Sequence, residues 1–575
     1  MRFAALPGGL LLVVTLTGAP AAFRTPVTSP AGISAGSTIA ARDVARTTDR
    51  RVAHVLSRLT FGARPGDAER VRAMGIDRWI AAQLQPGRIA DTQLDRFVAE
   101  HYPTIAMSPR DLYQRYPPRG LLLAEARRSG AAIDTAAIRR QARGSATFVT
   151  QLLSARVARA VMSERQLDEV MVDFWLNHFS VFIGKGQTRY YLASFERDAI
   201  RPHALGRFRD LLGSVAHSPA MLFYLDNVQS VADSGAVSTT AVARRGRMRP
   251  DAQPRRRSRG LNENYARELL ELHTLGVDGG YTQHDVTEVA RALSGWGIVP
   301  PRGDAAGRLQ ALARRSDRLV VDGDFLFRPD AHDAGAKTVL GVPLPAGRGM
   351  EDGEQVLDIL ARHPSTARFI AGKLATRFVS DSPPPALVDR AAATFMRTDG
   401  DIREVVRTIV TSPEFLADGA YRAKVKTPFE VVVSALRAVG AGADPSRRTA
   451  QVIGRLGQPL YGHQAPDGWP DDADAWMNTG AILNRINFGL AFAAGRVPGA
   501  RIERWPVVRT LRDAPREQQV SGIIDALLAG DVSPGTRRIL MTGENPLASD
   551  ATTMTDDGLA RIVGLAIGSP EFQRK

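Results

Sequence analysis

Apolar residues recur at intervals of three and four positions along most of this chain, the spacing that places them on one face of an α-helix. The first set runs over residues 52–59, and a later set over 164–179 puts Phe174 and Trp175 on a single apolar face. The chain has 575 residues, of which 44% are hydrophobic. That length exceeds what one hydrophobic core supports. We therefore predict a mainly α-helical, multi-helical protein of two or three lobes.

One stretch, residues 319–343, departs from the helical spacing, because β-branched and aromatic residues there surround turn signals. We expect a small β-hairpin or ribbon in it. Thr282 with Asp285, and Asp401 with Glu404, have the spacing of capping boxes that begin helices. Further helices are predicted over 68–74, 76–84, 121–128, 134–162, 190–200, 205–215, 219–225, 262–274, 402–410 and 430–439.

The beginning of the chain has the pattern of a secretory signal peptide, with Arg2, an apolar run over 10–16 and small residues at 19–21. The apolar run is well short of the roughly 20 residues that a membrane span needs, and no later segment is comparable. We expect an exported protein, periplasmic or secreted, without a transmembrane helix in its mature form. The alternative is an uncleaved N-terminal anchor.

The composition along the chain predicts its division into segments. We expect a signal peptide (1–21), a flexible tether (22–48), an N-terminal helical lobe (49–225), a disordered Arg-rich loop (226–260), a central helical lobe with the small β element (261–418) and a C-terminal helical lobe (419–575).

The chain contains no cysteine, which excludes disulfides, thiolate metal sites and a cysteine nucleophile. Its formal net charge is +15, but only six of the 75 basic residues are lysines, and an arginine excess is typical of a GC-rich genome. A basic surface could also associate with anionic envelope polymers. Nucleic acid is disfavoured as a partner, because the Arg-rich loop lacks aromatic residues on which bases could stack.

The common catalytic motifs are absent or lack their structural context. Residues Gly32–Gly36 spell a nucleophile elbow, but no predicted strand precedes them and no helix follows. Lys337 lacks the preceding glycine of a phosphate loop, and there is no His-Glu-x-x-His zinc motif. No standard reaction is predicted from motifs.

Residues Asn262–His273 form a predicted helix with dense polar functionality. Its polar positions lie together on one side, and His273 lies on the opposite, apolar side. Those polar positions are Glu263, Asn264, Arg267, Glu268 and Glu271. One interpretation is a surface helix with two i,i+4 ion pairs and Asn262 as its N-cap. The other is a buried carboxylate network around Arg267, an arrangement that is commonly functional.

Residues Leu261–Gln283 closely resemble the signature of a bacterial family catalogued as domain of unknown function 1800. Other segments resemble the same family, so that the likeness extends in order over about 50–575: Leu59–Gly66, Trp79, Gln83–Leu84, Phe174–Phe179, Ser218–Met221, His332–Lys337 and Asp467–Pro470. The resemblance implies an exported bacterial protein and names no reaction. The genes of such proteins often neighbour those of domain of unknown function 1501, a sulfatase-like exported family, which implies a partner of that kind.

The resemblance indicates which polar residues to group. From their chemistry, the candidate catalytic residues are Glu268 or Glu271 as acid/base, with Arg267 and His332 assisting. The candidate binding residues are Asn177, His178, Asn262, Glu263, Asn264, His273, Asp333, Lys337 and Trp469. His178 has the alternative of a satisfied core histidine, and Trp469 that of an aromatic cap on a helical core. No metal site is predicted, because the spacing of paired ligands is missing. The sequence names no cofactor.

Two functional hypotheses follow. The first is an envelope-associated binding or accessory protein with a polar cleft, acting on polysaccharide or an anionic envelope polymer beside a sulfatase-like partner. The second is an extracytoplasmic hydrolase-like enzyme acting on polysaccharide or another envelope polymer. Both expect the segment around Arg267 to face a cleft shared with His332.

Overall fold

Helices dominate the computed structural model of this chain, as the apolar spacing predicts. The structure describes residues 48–130, 135–232, 260–302, 304–316, 318–444, 446–543 and 558–575. The predicted signal peptide, the tether up to residue 47, the Gly32–Gly36 motif and most of the predicted Arg-rich loop lie outside the described residues. None of the described helices has the length and apolar composition that crossing a bilayer requires.

A first helix is described over 48–59. The α-helices of six or more residues that follow it are Asp67–Met74, Ile76–Gln83, Thr92–His101, Pro109–Arg115, Arg119–Ser129, Thr135–Met162, Gln166–His178, Phe208–His217, Pro219–Tyr224, Glu263–Leu270, Gln283–Ala292, Ala305–Ala313, Glu351–Ala361, Pro364–Phe378, Pro385–Arg397, Ile402–Val410, Pro428–Ala438, Arg448–Arg455, Thr479–Ala493, Pro506–Leu511, Arg516–Leu528, Pro534–Thr542 and Gly558–Gly568. Two π-helical segments, Phe195–Ile200 and Glu271–Leu275, extend helices by one wide turn.

The small β element is confirmed, and it is larger than the predicted hairpin or ribbon because a further strand, Trp296–Ile298, lies outside 319–343. Strands β1 (Trp296–Ile298), β2 (Val320–Asp322) and β3 (Phe325–Phe327) form an antiparallel sheet in the order β1-β3-β2. Strands β4 (Lys337–Val339) and β5 (Val342–Leu344) form a separate hairpin. Strand β1 was missed because three residues directly after a helix are too few to show an alternating pattern.

The predicted caps are formed in two different ways. Thr282 accepts a hydrogen bond from the Asp285 amide at 3.3 Å, and the Asp285 carboxylate accepts one from the Thr282 amide at 2.8 Å, which is a reciprocal capping box. Asp401 caps its helix alone by accepting from the Arg403 amide at 3.0 Å. The Glu404 side chain instead pairs with Arg407 at 3.1 Å, one turn further along the same helix.

The first helix packs against the second half of the chain. The His54 ring nitrogen Nε2 donates to the carbonyl oxygen of Phe415 at 2.8 Å, and Arg58 donates to that of Ala420 at 2.5 Å. In the opposite direction, the buried Arg437 reaches back to the carbonyl oxygen of Gly62 at 2.6 Å. These contacts join the predicted N-terminal lobe to the predicted central and C-terminal lobes, and residues Asp49–Lys575 group into one compact unit.

Ordered chain continues for a few residues into the segment predicted to be a disordered loop. A 3-10 turn at Asn227–Gln229 is held by the buried Asn227 side chain, which donates to the carbonyl oxygens of Leu293 at 3.2 Å and Trp296 at 3.3 Å. The amide of Ala232 donates to the carbonyl oxygen of Ala331 at 2.8 Å. Residues 226–232 therefore pack beside β1 through the buried Asn227, and 233–259 lie outside the described residues.

Candidate functional site

A cleft of about 700 Å³ opens between helix Gln166–His178, helix Pro364–Phe378 and the loop over 467–472. Three of the predicted binding residues, Asn177, His178 and Trp469, line it. The volume is within the range of pockets that hold small molecules or short oligomers. This cleft is the candidate functional site.

The loop that forms one wall is clamped to the end of helix Gln166–His178. Asn177 donates through Nδ2 to the carbonyl oxygen of Trp469 at 2.8 Å, and its Oδ1 accepts from the Trp469 amide at 2.8 Å. The contact requires glycine at 468, because its φ is +77° and a Cβ there would lie 2.2 Å from the Asn177 carbonyl oxygen. The Asp-Gly-Trp-Pro sequence is therefore a docking turn that fixes the position of Trp469.

Aromatic rings support the Trp469 side chain from behind. Its ring centroid lies 4.7 Å from that of His463 and 5.8 Å from that of Trp476. The Trp476 ring is buried and donates through Nε1 to the carbonyl oxygen of Pro470 at 3.0 Å. Trp476 thus belongs to the core, whereas the partly exposed Trp469 presents a ring to the cleft.

The back of the cleft contains a neutral histidine with an unused acceptor. His178 Nε2 donates to the carbonyl oxygen of His273 at 3.1 Å, so its Nδ1 carries a lone pair, and no described residue donates to that atom. Burial, and then the charge of Lys373, hold the pKa of His178 well below its usual value. His178 is therefore a buried core histidine, as one interpretation of the sequence predicted. It also lines the cleft, as a binding residue would.

The signature segment lies directly behind this wall. The π-helical turn Glu271–Leu275 supplies the His273 carbonyl oxygen that orients His178. Burial lowers the pKa of His273 to about 3, so this ring is also neutral. Gly276 directly follows the π-helical turn, and a Cβ at this position would lie 3.0 Å from the ring of Phe369, which lines the cleft. The signature segment thus supports the cleft rather than lining it.

Sequence reasoning missed Lys373 and Phe369, which lie on the cleft face of helix Pro364–Phe378. The Lys373 ammonium is 5.3 Å from the Phe369 ring centroid, and it forms no hydrogen bond or ion pair with a described residue. Burial lowers its pKa below the usual value, while the charges of Asp471 and Asp467 oppose that shift. An ordinary amphipathic helix gave no signal for these residues. The rarity of lysine in this arginine-rich chain was the one available hint.

The carboxylates around the cleft already have partners. Lys424 Nζ is 2.5 Å from Asp381 and 3.3 Å from Asp471. His463 Nε2 is 2.7 Å from Asp467. Lys424 thereby links the loop to Asp381, just beyond the end of helix Pro364–Phe378. Lys373 remains as the cleft charge that lacks a described partner.

A buried ionic cluster lies behind a second, smaller cavity of about 50 Å³ that also reaches Asn177 and Trp469. In it, Arg377 is 2.8 Å from Glu430 and 3.6 Å from Asp173. Lys575 also pairs with Glu430, and Arg156 pairs with Asp173. We call these five residues, Arg156, Asp173, Arg377, Glu430 and Lys575, the ionic cluster.

The predicted polar helix lies outside the residues that line the cleft. Asn262 caps it by accepting from the Tyr265 amide at 3.2 Å, and Asn264 is exposed. The ion pairs expected around Arg267 do not form between described residues, because Arg267 donates to the Gln283 side-chain oxygen at 2.7 Å. Neutral partners on the neighbouring helix and loop replace them.

The carboxylates of this helix have neutral partners as well. Glu263 accepts from the side-chain Nε2 of Gln283 at 2.8 Å, and Glu271 accepts from the Tyr281 hydroxyl at 2.6 Å. Burial, and then the charge of Glu271, raise the pKa of Glu268. The Asp467 charge contributes in the same direction, which places Glu268 within electrostatic reach of the cleft loop.

His332, Asp333 and Lys337 form a separate, fully enclosed network. Asp352 accepts from Lys337 Nζ at 2.7 Å and lies 3.4 Å from His332 Nε2. Asp333 pairs with Arg291 at 2.8 Å. No hydrogen bond or ion pair between described residues joins this network to Glu268 or Glu271, so the four predicted catalytic residues do not form one bonded group.

The enclosed network contains a Ser–His–Asp sequence of neighbours that does not have the geometry of a nucleophile. Ser294 Oγ is 3.4 Å from His332 Nδ1, but the hydroxyl donates to the carbonyl oxygen of Arg291 at 2.6 Å. His332 Nδ1 donates instead to the backbone carbonyl oxygen of Ser294 at 2.9 Å. Both side chains are buried, and neither lines the cleft. Within the described chain, no three His, Asp or Glu side chains are grouped so that they could hold a metal ion.

These features define a mainly α-helical protein with small antiparallel sheets and a polar, aromatic-walled cleft. Residues 54–574 match the family described as Protein of unknown function (DUF1800), and the chain belongs to that family. No curated protein and no solved structure matches this chain significantly.

Proposed function

We propose that this protein is an extracytoplasmic binding protein whose cleft holds a segment of polysaccharide. The observation that carries the proposal is the Trp469 ring, which is fixed at the cleft wall by the two Asn177 hydrogen bonds and left partly exposed. The signal-peptide pattern at the N-terminus supports the compartment. The basic composition supports attraction to an envelope polymer.

The chemistry of the cleft walls suits a sugar ring. The apolar C–H face of a sugar packs on an aromatic side chain, and its hydroxyls need donors and acceptors around the edge. Trp469 supplies the aromatic face, and Lys373 and Thr376, which also line the cleft, carry polar groups. Asn177 is already occupied by the loop, so its role is to position Trp469.

A hydrolase is the second candidate, and the raised pKa of Glu268 favours it. A carboxyl group that retains its proton near neutral pH can act as a general acid, with a neighbouring ionised carboxylate as the base. Burial and the charge of Glu271 raise the pKa of Glu268, which is the direction that a general acid requires. The enzyme would release reducing ends from the bound polymer, whereas a binding protein would not.

The test is binding of the purified mature chain to a panel of soluble polysaccharides, measured by affinity electrophoresis and calorimetry. Trp469→Ala should weaken binding at least about tenfold with little change in melting temperature, since the ring is partly exposed. Trp469→Phe, which keeps an aromatic face, is the matched control and should retain most of the affinity. Absence of binding to the whole panel, or full binding by Trp469→Ala, would refute the proposal.

Two further measurements address the alternatives. A reducing-end assay on each polymer that binds, repeated with Glu268→Gln, separates a hydrolase from a binding protein. A pull-down from the native host, with and without Trp469→Ala, tests the sulfatase-like partner predicted from the family resemblance. Release that depends on Glu268 would establish the enzyme and replace the binding-only function.

A further inference from the structure

Lys373 differs from the other charged residues that line the cleft. Asp381 and Asp471 pair with Lys424, and Asp467 pairs with His463. The remaining two are also engaged, because Arg368 pairs with Asp389 and Asp472 accepts from the Ala475 amide at 3.1 Å. Among the described residues, none provides Lys373 with a hydrogen bond or an ion pair.

An unpaired, partly buried ammonium is unfavourable, because burial removes part of the water around the charge without replacing it. The nearest aromatic face, Phe369 at 5.3 Å, compensates only in part. Asp467 and Asp471 act on Lys373 through space but are held by their own partners. A site of this kind gains the most from a ligand that brings an anion.

We propose that the cleft is selective for an acidic glycan and that Lys373 binds the carboxylate or sulfate group of that glycan. The inference rests on the proposed polysaccharide binding and names the class of ligand. Phe369, Lys373 and Thr376 lie at i, i+4 and i+7, so one row of helix Pro364–Phe378 faces the cleft. Trp469 forms the opposing wall, which allows one ligand to stack on the ring and pair with the ammonium.

The relative positions also explain why the partner should be a glycan acid rather than a free small anion. The partly exposed Trp469 on the wall of the same cleft offers an aromatic face, which a small inorganic anion cannot use. A sugar that carries an acid group can contact the Trp469 ring and Lys373 at once. The cleft volume of about 700 Å³ leaves room for more than one sugar residue.

The experiment compares three oligosaccharides of equal length by calorimetry with the full mature chain: an oligogalacturonide, its neutral methyl ester and a sulfated galactan fragment. We expect at least one acidic oligosaccharide to bind about tenfold more tightly than the ester, with the preference falling as salt rises. Lys373→Met should abolish that preference while retaining the affinity for the ester. Lys373→Arg should keep most of the preference for the acidic oligosaccharide. The control is Arg390→Met, which removes a surface pair with Glu414 and should change neither the preference nor the affinity.

Each outcome bears on a different claim. Equal affinity of the wild type for the acids and the ester would overturn the acidic selectivity and leave polysaccharide binding standing. Retention of the acid preference in Lys373→Met, with the melting temperature unchanged, would overturn the role of Lys373. Failure of all three oligosaccharides, and of the wider panel, would instead refute the proposed function.

Discussion

Replacing Glu430 by glutamine tests whether the ionic cluster stabilises the fold. Glu430 is buried, and its carboxylate receives Arg377 at 2.8 Å, Lys575 and the Thr427 amide at 2.9 Å. Glutamine keeps an oxygen for the Thr427 amide, but it removes the charge and places an NH2 donor where the other oxygen accepted from Arg377 and Lys575. Arg377 and Lys575 then remain buried without their shared counter-ion.

The expected loss is large for a single isosteric change. Removing one member of a buried charge pair costs about 3 to 5 kcal/mol, because the remaining charge is uncompensated. The matched control is Glu404→Gln, since Glu404 pairs with Arg407 at the surface, where such pairs contribute about 0 to 1 kcal/mol. The free energies of unfolding would be measured by urea denaturation followed by circular dichroism and fluorescence.

The pH dependence gives an independent check. Burial opposes ionisation of Glu430, but Arg377 and Lys575 outweigh it and hold the pKa well below the usual value of 4.5. A carboxyl group with a lowered folded pKa contributes stability above its unfolded pKa and loses it as pH falls towards the folded value. The difference between wild type and Glu430→Gln should stay constant from pH 8 to about 5 and shrink below 4.5. A loss under about 1 kcal/mol at pH 7, or a difference unchanged at pH 3, would refute the reasoning.

Three further substitutions test other parts of the structure. Gly468→Ala should lower the free energy of unfolding by at least about 2 kcal/mol and abolish cleft binding, because φ at this residue is positive and the new Cβ would collide with the Asn177 carbonyl oxygen. The control is Gly419→Ala, which has open space around it and should leave the melting temperature nearly unchanged. Burial raises the pKa of Asp168 from 3.8 to about 6, so wild type loses stability as pH rises through that range. Asp168→Asn should therefore be up to about 3 kcal/mol more stable than wild type at pH 8 and similar to it at pH 3, and no gain at pH 8 would contradict this. Glu271→Ala removes the acceptor of the Tyr281 hydroxyl and should cost about 1 kcal/mol more than Glu271→Gln in urea denaturation, so equal losses would contradict that bond.

The helical content could be predicted from sequence because it is set by local spacing. Residues 164–179 were predicted as a helix and form Gln166–His178, and the Thr282 cap was predicted with its partner. Strand β1 was missed because its partner β3 comes about 30 residues later and three residues show no period. Local patterns therefore predicted the elements better than their pairing.

The candidate site could be predicted only in part, because a cleft is made by elements distant in sequence. The Asn177 and Trp469 segments were singled out separately, yet the hydrogen bonds that join them span 292 positions. The polar helix around Arg267 was predicted as part of the site because it has many charged residues. In the structure, Arg267 instead donates to Gln283, and Glu271 accepts from Tyr281. Lys373 lies in an ordinary amphipathic helix. Only the folded structure shows that no described residue forms a hydrogen bond or an ion pair with it.

The first helix and the turn after it contact residues far along the chain, and these contacts constrain the order in which the protein folds. His54 bonds to a residue 361 positions later, and Gly62 accepts from one 375 positions later. Contacts at such separations close large loops and form late, so folding is slow and passes through states with exposed apolar surface. The helix over 48–59 has an early partner in Arg72, which pairs with Asp49, but it lacks the Phe415 and Ala420 contacts until most of the intervening chain has been made. We expect the chain to depend on a holding chaperone during that interval, wherever it folds.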